Sequence, residues 1–281
     1  MPGKCSKALL NACDILVHAP SIFTHFISTW SYLMEKKTLI AAFTIALFFL
    51  ADYGWPLIGY SGGQEGLLYV AVKLLNRSFW YILLPIAALA LLYRGSPQPG
   101  NMLGLQKGAR EGLQMAFLST LPMLLGLGGL ANFNATWQWE PFILSVALAA
   151  FSEEILYRGF LFGQLHRQAG WPFALAAGFG AVVFGLGHLY QGHGFWDTFG
   201  IFAVTFAGGL WFAWLYKAWG YNLWVPIGLH FLMNFYWMVF ESGTNALGGV
   251  WPNVFRAATI AITVIWTVRR QKAAPQLQPA D

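Results

Sequence analysis

The chain has 281 residues, 57% of them hydrophobic and only 10% charged, with 14 Trp and 24 Phe. A soluble domain carries about 25% charged residues, so the composition excludes an ordinary soluble enzyme and predicts an all-α integral membrane protein whose first partner is the lipid bilayer. A net charge of +5 does not point to nucleic acid, because the bases are scattered at the ends of apolar stretches, where they act as topology signals.

Cys5 and Cys13 stand near the start with no CxxC around them, which leaves neither a disulfide framework nor a metal-thiolate site. Lys4 and Lys7 precede an apolar run in the manner of a signal peptide, but Asn11 and Asp14 interrupt it. With His18, Pro20 and His25 also present, residues 1–37 read as an N-terminal interfacial segment. The first span is expected at about 38–58, ending at the turn-forming GYSGG of 59–63, and the second within 67–93. Lys73 and Arg77 fall in the first half of the second, so that helix is long and tilted or its start lies at the surface. After a polar loop at 94–110 a third span is expected at 112–131, and then a helix from Pro141 to about 168, Pro suiting a first turn. Spans at about 172–190, 197–217, 223–241 and 251–268 complete a set of eight.

With both termini in the cytosol, 12 of the 16 Lys and Arg fall on the inner side. The chain divides into the interfacial segment 1–37, N-terminal transmembrane helices at 38–140, a polar-site region at 141–241, and a last helix with its tail at 242–281. The tail from Lys272, with Pro275 and Pro279, is expected to be disordered. No internal repeat supports a repeat-built transporter.

The stretch FSEEILYR at 151–158 sets two carboxylates and an arginine into an apolar helix, where each ionisable group costs roughly 2.5–3.5 kcal/mol at a helix centre. With them, the polar groups placed well inside spans are His188, His230 and Asn234. Taken singly, an intramembrane His or Asn is an ordinary interhelical hydrogen-bonding residue worth about 0.6 kcal/mol. Spacing changes that reading. Glu154 and Arg158 are i, i+4 and can form an ion pair, which leaves Glu153, about 100° round the helix, unpartnered and available for chemistry. Glu153 lies 17 residues before Gly170 and His188 18 residues after it, so a hairpin brings both to one depth. His230 and Asn234 share a face of a later helix; for them to meet Glu153, the hairpin must protrude by about 10 Å.

An apolar wall makes a carboxylate a stronger base, and a histidine beside it can hold the water it deprotonates. A second histidine and an amide can donate to a developing oxyanion, and losing one such donor costs about 10²–10³ in rate. The set describes hydrolysis of an amide by an activated water. Ser152 has no GxSxG around it. Glu153, His188 and His230 also make a His₂Glu zinc set without an HExxH, and the residues alone leave both chemistries open.

EEILYR at 153–158, FGLGH at 184–188 and HFLMN at 230–234 follow the EExxxR, FxxxH and HxxxN order of the CPBP family. Those are the CAAX-protease and bacteriocin-processing intramembrane proteins, also called the ABI or type II CAAX prenyl endopeptidase family, and the chain resembles them over roughly residues 141–240. The resemblance implies an intramembrane peptidase in which Glu153 activates water, His188 helps hold it, and His230 with Asn234 stabilises the oxyanion. Glu154, Arg158 and Phe184 match supporting positions. It favours glutamate chemistry without a metal over zinc, and a peptide or lipidated-protein substrate; a bacterial inner membrane is the expected location. The competing reading is a non-catalytic peptide-binding, immunity or scaffold protein on the same fold; a proton-coupled transporter is disfavoured. The GxxxG-like GFLFG at 159–163 is expected to pack helices closely. His166 and His193 are placed in loops, and Trp137, Trp139, Trp196, Trp219 and Trp224 at the membrane interfaces.

Overall fold

The computed structural model describes residues 34–54, 65–94, 98–130, 133–134 and 138–273, and the described residues contain helices and no strand. Expectations for residues 1–33, the 59–63 turn, Trp137 and the tail from 274 lie outside them. A helix stands at each of the eight expected places. They are α1 (Met34–Gly54), α2 (Leu67–Leu92), α4 (Ala109–Leu130), α5 (139–168), α6 (Phe173–Leu186), α7 (Phe195–Ala218), α8 (Trp224–Val239) and α9 (Val250–Ala273). A short α3 (Pro99–Leu103) lies inside what the sequence reads as a loop. Five of these, α1, α2, α4, α6 with its following turn to Gln191, and α7, are long and apolar enough to cross a membrane.

The architecture is centred on α5, whose residues Glu154 to Phe162 are all buried. A helix covered on every side must be enclosed by other helices. Around it Phe48 of α1, Leu89 of α2, Met102 and Leu103 of α3, Tyr216 of α7 and Leu223 join Ile155, Leu156, Phe160 and Leu161 in one core. α3 is therefore packing material, not loop: Gly159, the first glycine of GFLFG, faces Leu103 and Leu223 so closely that a Cβ would stand 3.1 and 3.3 Å from their methyls. That glycine serves packing within the chain.

Proline and wide turns shape the rods. Pro85 cannot donate to the carbonyl four residues back, and the turn before it, Phe79–Leu83, opens into a π-helix. In α4, Pro122 interrupts the ladder, and the Thr120 hydroxyl donates to the carbonyls of Ala116 and Phe117 at 2.9 and 3.1 Å. α5 carries π-helical segments at Phe142–Leu148, Glu154–Phe162 and Gln164–Gln168. His166 is thus helical and half-buried, its Nδ1 bonded to the Trp171 carbonyl at 2.8 Å and its ring stacked on Phe162, a correction to the loop expectation. His193 does lie in a turn, exposed.

α7 lies along α6, while α8 and α9 lie along the two halves of α4. Small residues permit this. A Cβ on Gly228 would come within 2.7 Å of the Ala116 Cβ, and one on Gly209 within 3.0 Å of Ala181. α9 turns Thr259, Thr263 and Thr267, spaced at i, i+4 and i+8, inward; Thr263 and Thr267 accept from the indoles of Trp211 and Trp219 at 3.2 and 2.9 Å. Trp219 is only 5% exposed, so it is a buried cross-helix donor and not the interfacial anchor expected, whereas Trp196 is 79% exposed. The helix start at Trp224 is fixed by Asn222, whose Oδ1 accepts from the Trp224 N–H at 3.1 Å.

Gly228→Leu should destabilise the chain by about 1–3 kcal/mol through overpacking, while Gly208→Leu, where a Cβ meets nothing within 4 Å, should be neutral. Thermal unfolding of the two variants in detergent checks this; equal midpoints would refute the close α4–α8 approach.

Candidate active site

The embedded polar residues converge where α5 faces α2, α6, α7 and α8. Glu154 is fully buried, and its Oε1 accepts from Arg158 Nη1 at 2.9 Å and from His230 Nδ1 at 2.8 Å. The i, i+4 ion pair is therefore present, and α8 brings its histidine to the same oxygen. Oε2 of Glu154 is buried with no hydrogen bond among the described residues. Arg158 is 2% exposed and enclosed by aromatic faces, its Cζ 4.5 Å from the Phe184 ring centroid and 5.3 Å from that of Phe212. Such cation–π contacts strengthen when desolvated, and they give Phe184 a task separate from its place one turn before His188.

Glu153 departs from expectation. It is not unpartnered: Arg77 of α2 donates from Nη2 to its Oε1 at 2.5 Å and from Nε to the Ser152 hydroxyl at 3.0 Å. From the sequence, Arg77 with Lys73 implies only a long, tilted helix or a start at the surface, because a cation in a largely apolar helix gives no indication of which helix it faces. The other carboxylate oxygen of Glu153, Oε2, lies 3.9 Å from His230 Nε2. With its Nδ1–H committed to Glu154, His230 turns Nε2 toward Glu153.

His188 sits just past the end of α6, where its Nδ1 donates to the Phe184 carbonyl at 2.7 Å and its ring lies 4.5 Å from that of Phe184. This contact fixes a proton on Nδ1, so that in the neutral ring Nε2 is the free acceptor. Asn234, one turn beyond His230, donates to the Ser145 carbonyl of α5 at 3.2 Å, at a π-helical turn where backbone carbonyls are less regularly satisfied. The structure thus joins Glu153, Glu154, Arg158 and His230 by direct contact, reaches His188 through Phe184 against Arg158, and holds Asn234 on Ser145, eight residues before Glu153 on the same helix.

A zinc ion would require Glu153, His188 and His230 to direct donor atoms at one point about 2.0–2.2 Å away. Among the described residues no three His, Cys, Asp or Glu stand in such a cluster, and the Arg77 cation occupies one Glu153 oxygen.

A further acid was missed. Asp52 of α1 accepts from the Tyr81 hydroxyl of α2 at 2.7 Å and from the Tyr157 hydroxyl of α5 at 3.1 Å, all on Oδ1. Its position within the first apolar span was the available signal.

Arg158→Met should cost about 3–5 kcal/mol by leaving Glu154 buried without its cation and with the His230 ring as its remaining partner, and the double variant Glu154→Gln/Arg158→Met should cost less than that single change. Denaturation in detergent measures both; additive losses would contradict a coupled pair.

Residues 135–236 match a family model described as type II CAAX prenyl endopeptidase Rce1-like. The matched segment contains Glu153, Glu154, Arg158, Phe184, His188, His230 and Asn234, while Asp52, Arg77 and Tyr81 lie before it. No curated protein and no solved structure matches the chain.

Proposed function

From a chain that carries an Rce1-like, type II CAAX prenyl endopeptidase segment at residues 135–236, we propose that it is an intramembrane endopeptidase hydrolysing a peptide bond of a membrane-associated peptide or lipidated protein. The observation that carries this reading is the His230 ring held between two carboxylates of one helix, Nδ1 on Glu154 at 2.8 Å and Nε2 facing Glu153 at 3.9 Å. A carboxylate oxygen and a ring nitrogen directed at one small space suit the binding and deprotonation of a water.

In the proposed reaction the water donates its two protons toward Glu153 Oε2 and the Nε2 of a neutral His188, leaving His230 Nε2 for the carbonyl oxygen. Its oxygen attacks the carbonyl carbon as Glu153 takes its proton. The negative charge developing on the carbonyl oxygen is met by the Asn234 amide, released from the Ser145 carbonyl as substrate enters, and by His230 when Nε2 carries a proton. Collapse of the intermediate breaks the C–N bond, and Glu153 returns its proton to the departing amine, so Glu153 is unchanged over one turnover. Glu154, Arg158 and Phe184 hold the ring and the helix in place. No step uses a metal.

The same proposal takes the remaining three long helices, α5, α8 and α9, as membrane-crossing, giving eight spans with both termini in the cytosol and a bacterial inner membrane as the setting. The Arg77–Glu153 pair favours a second reading, a non-catalytic peptide-binding, immunity or scaffold protein in which the carboxylate serves an ion pair only.

Mass spectrometry of membrane-associated peptides from cells expressing wild type or Glu153→Gln at matched levels separates the two. Proteolysis predicts truncated peptides present with wild type alone, and Asn234→Ala lowering their yield by about 10²–10³. Identical peptidomes would support the binding protein.

A further inference from the structure

Arg77 belongs to the half of the chain that precedes the family match, yet its guanidinium is held on three sides at the candidate base. Nη2 donates to Glu153 Oε1 at 2.5 Å, Nε donates to Ser152 Oγ at 3.0 Å, and Cζ lies 4.7 Å from the centroid of Tyr81. Tyr81 is in turn fixed by its bond to Asp52, which also takes the hydroxyl of Tyr157. The contacts run from α1 through α2 to α5 and end on one oxygen of Glu153. A planar fork that engages two successive residues of a helix sets both direction and torsion, which a point charge does not. With Oε1 taken, Oε2 is the oxygen left facing His230.

We propose that Arg77 is a positioning residue of the peptidase site, holding one oxygen of Glu153 so that the other is presented to water and His230. This rests on the reading of Glu153 as general base given above. A pair that merely fastened α2 to α5 would contribute to stability and be indifferent to which oxygen is presented. It would also gain nothing from a guanidinium ion free in solution.

The test uses the full chain in lipid nanodiscs, with the membrane-peptide fraction as probe and the rate of appearance of new C-termini as readout. Misplacing a reacting group by about 1 Å costs about 10²-fold, so Arg77→Ala should slow cleavage by about that factor, and Arg77→Lys should recover only part of the loss. Millimolar guanidinium should restore Arg77→Ala by about tenfold or more and leave wild type and Glu153→Gln unchanged. Cleavage by Arg77→Ala within about threefold of wild type, or a loss that guanidinium does not recover, overturns the proposal.

If Arg77→Ala shows no cooperative unfolding transition, Ser152→Ala decides, since it removes only the anchor of Nε. Slower cleavage at an unchanged transition supports positioning, and unchanged cleavage refutes it. The two levels of the account separate cleanly: full turnover by Glu153→Gln removes the general base and the positioning role together. Full turnover by Arg77→Ala beside an inactive Glu153→Gln removes only the latter.

Discussion

One buried carboxylate oxygen, Oε1 of Glu154, accepts from an arginine on its own helix and from a histidine on another. An ionised group in an apolar interior is tolerated only when its partners and geometry are good, so this oxygen dictates much of what surrounds it. Arg158 must lie against α6 and α7, where Phe184 and Phe212 cover its faces. His230 must stand at the height of Glu154, and this fixes how far α8 slides along α5. Once the Nδ1–H of that ring is committed, its other nitrogen is turned toward Glu153. The chemistry proposed for Glu153 is thus a by-product of how Glu154 is neutralised.

The packing that permits this is made mostly of small and polar residues. Helix association in a membrane gains little from the hydrophobic effect and depends on close approach and hydrogen bonds. Gly228 against Ala116, Gly209 against Ala181 and Gly159 against Leu103 supply the approach. Thr263 and Thr267 supply acceptors for tryptophans on α7. Wide turns in α2 and α5 lie beside the charged residues, Phe79 to Leu83 just after Arg77 and Glu154 to Phe162 just after Glu153; π-helical turns are frequent at functional sites because they change which residues share a face.

Much of this was legible in the sequence. Apolar stretches separated by polar turns located the eight longer helices among the described residues, though not α3, and the i, i+4 spacing of Glu154 and Arg158 predicted their pair. What could not be read was contact between distant helices. Arg77 is 76 residues from Glu153, and two cations in the first half of a span, Lys73 and Arg77, are equally consistent with a start at the surface. Asp52 was passed over in the same way, although an acid within a span is costly wherever it faces. Trp219 misled because position near a helix end is a poor guide to burial when a neighbouring helix carries a threonine to receive the indole. The His230–Glu154 contact brings α8 and α5 to one height at the carboxylates, a register that spacing along each helix does not specify.

The most direct test of a hydrolytic site is the fate of the attacking oxygen. Purified protein in nanodiscs is incubated with the membrane-peptide fraction in water enriched in the heavy oxygen isotope, and the new C-terminal carboxyl groups are examined by mass spectrometry. The account predicts new C-termini carrying one solvent oxygen with wild type and none with Glu153→Gln. Labelled C-termini formed equally by both proteins, or by neither, would contradict it.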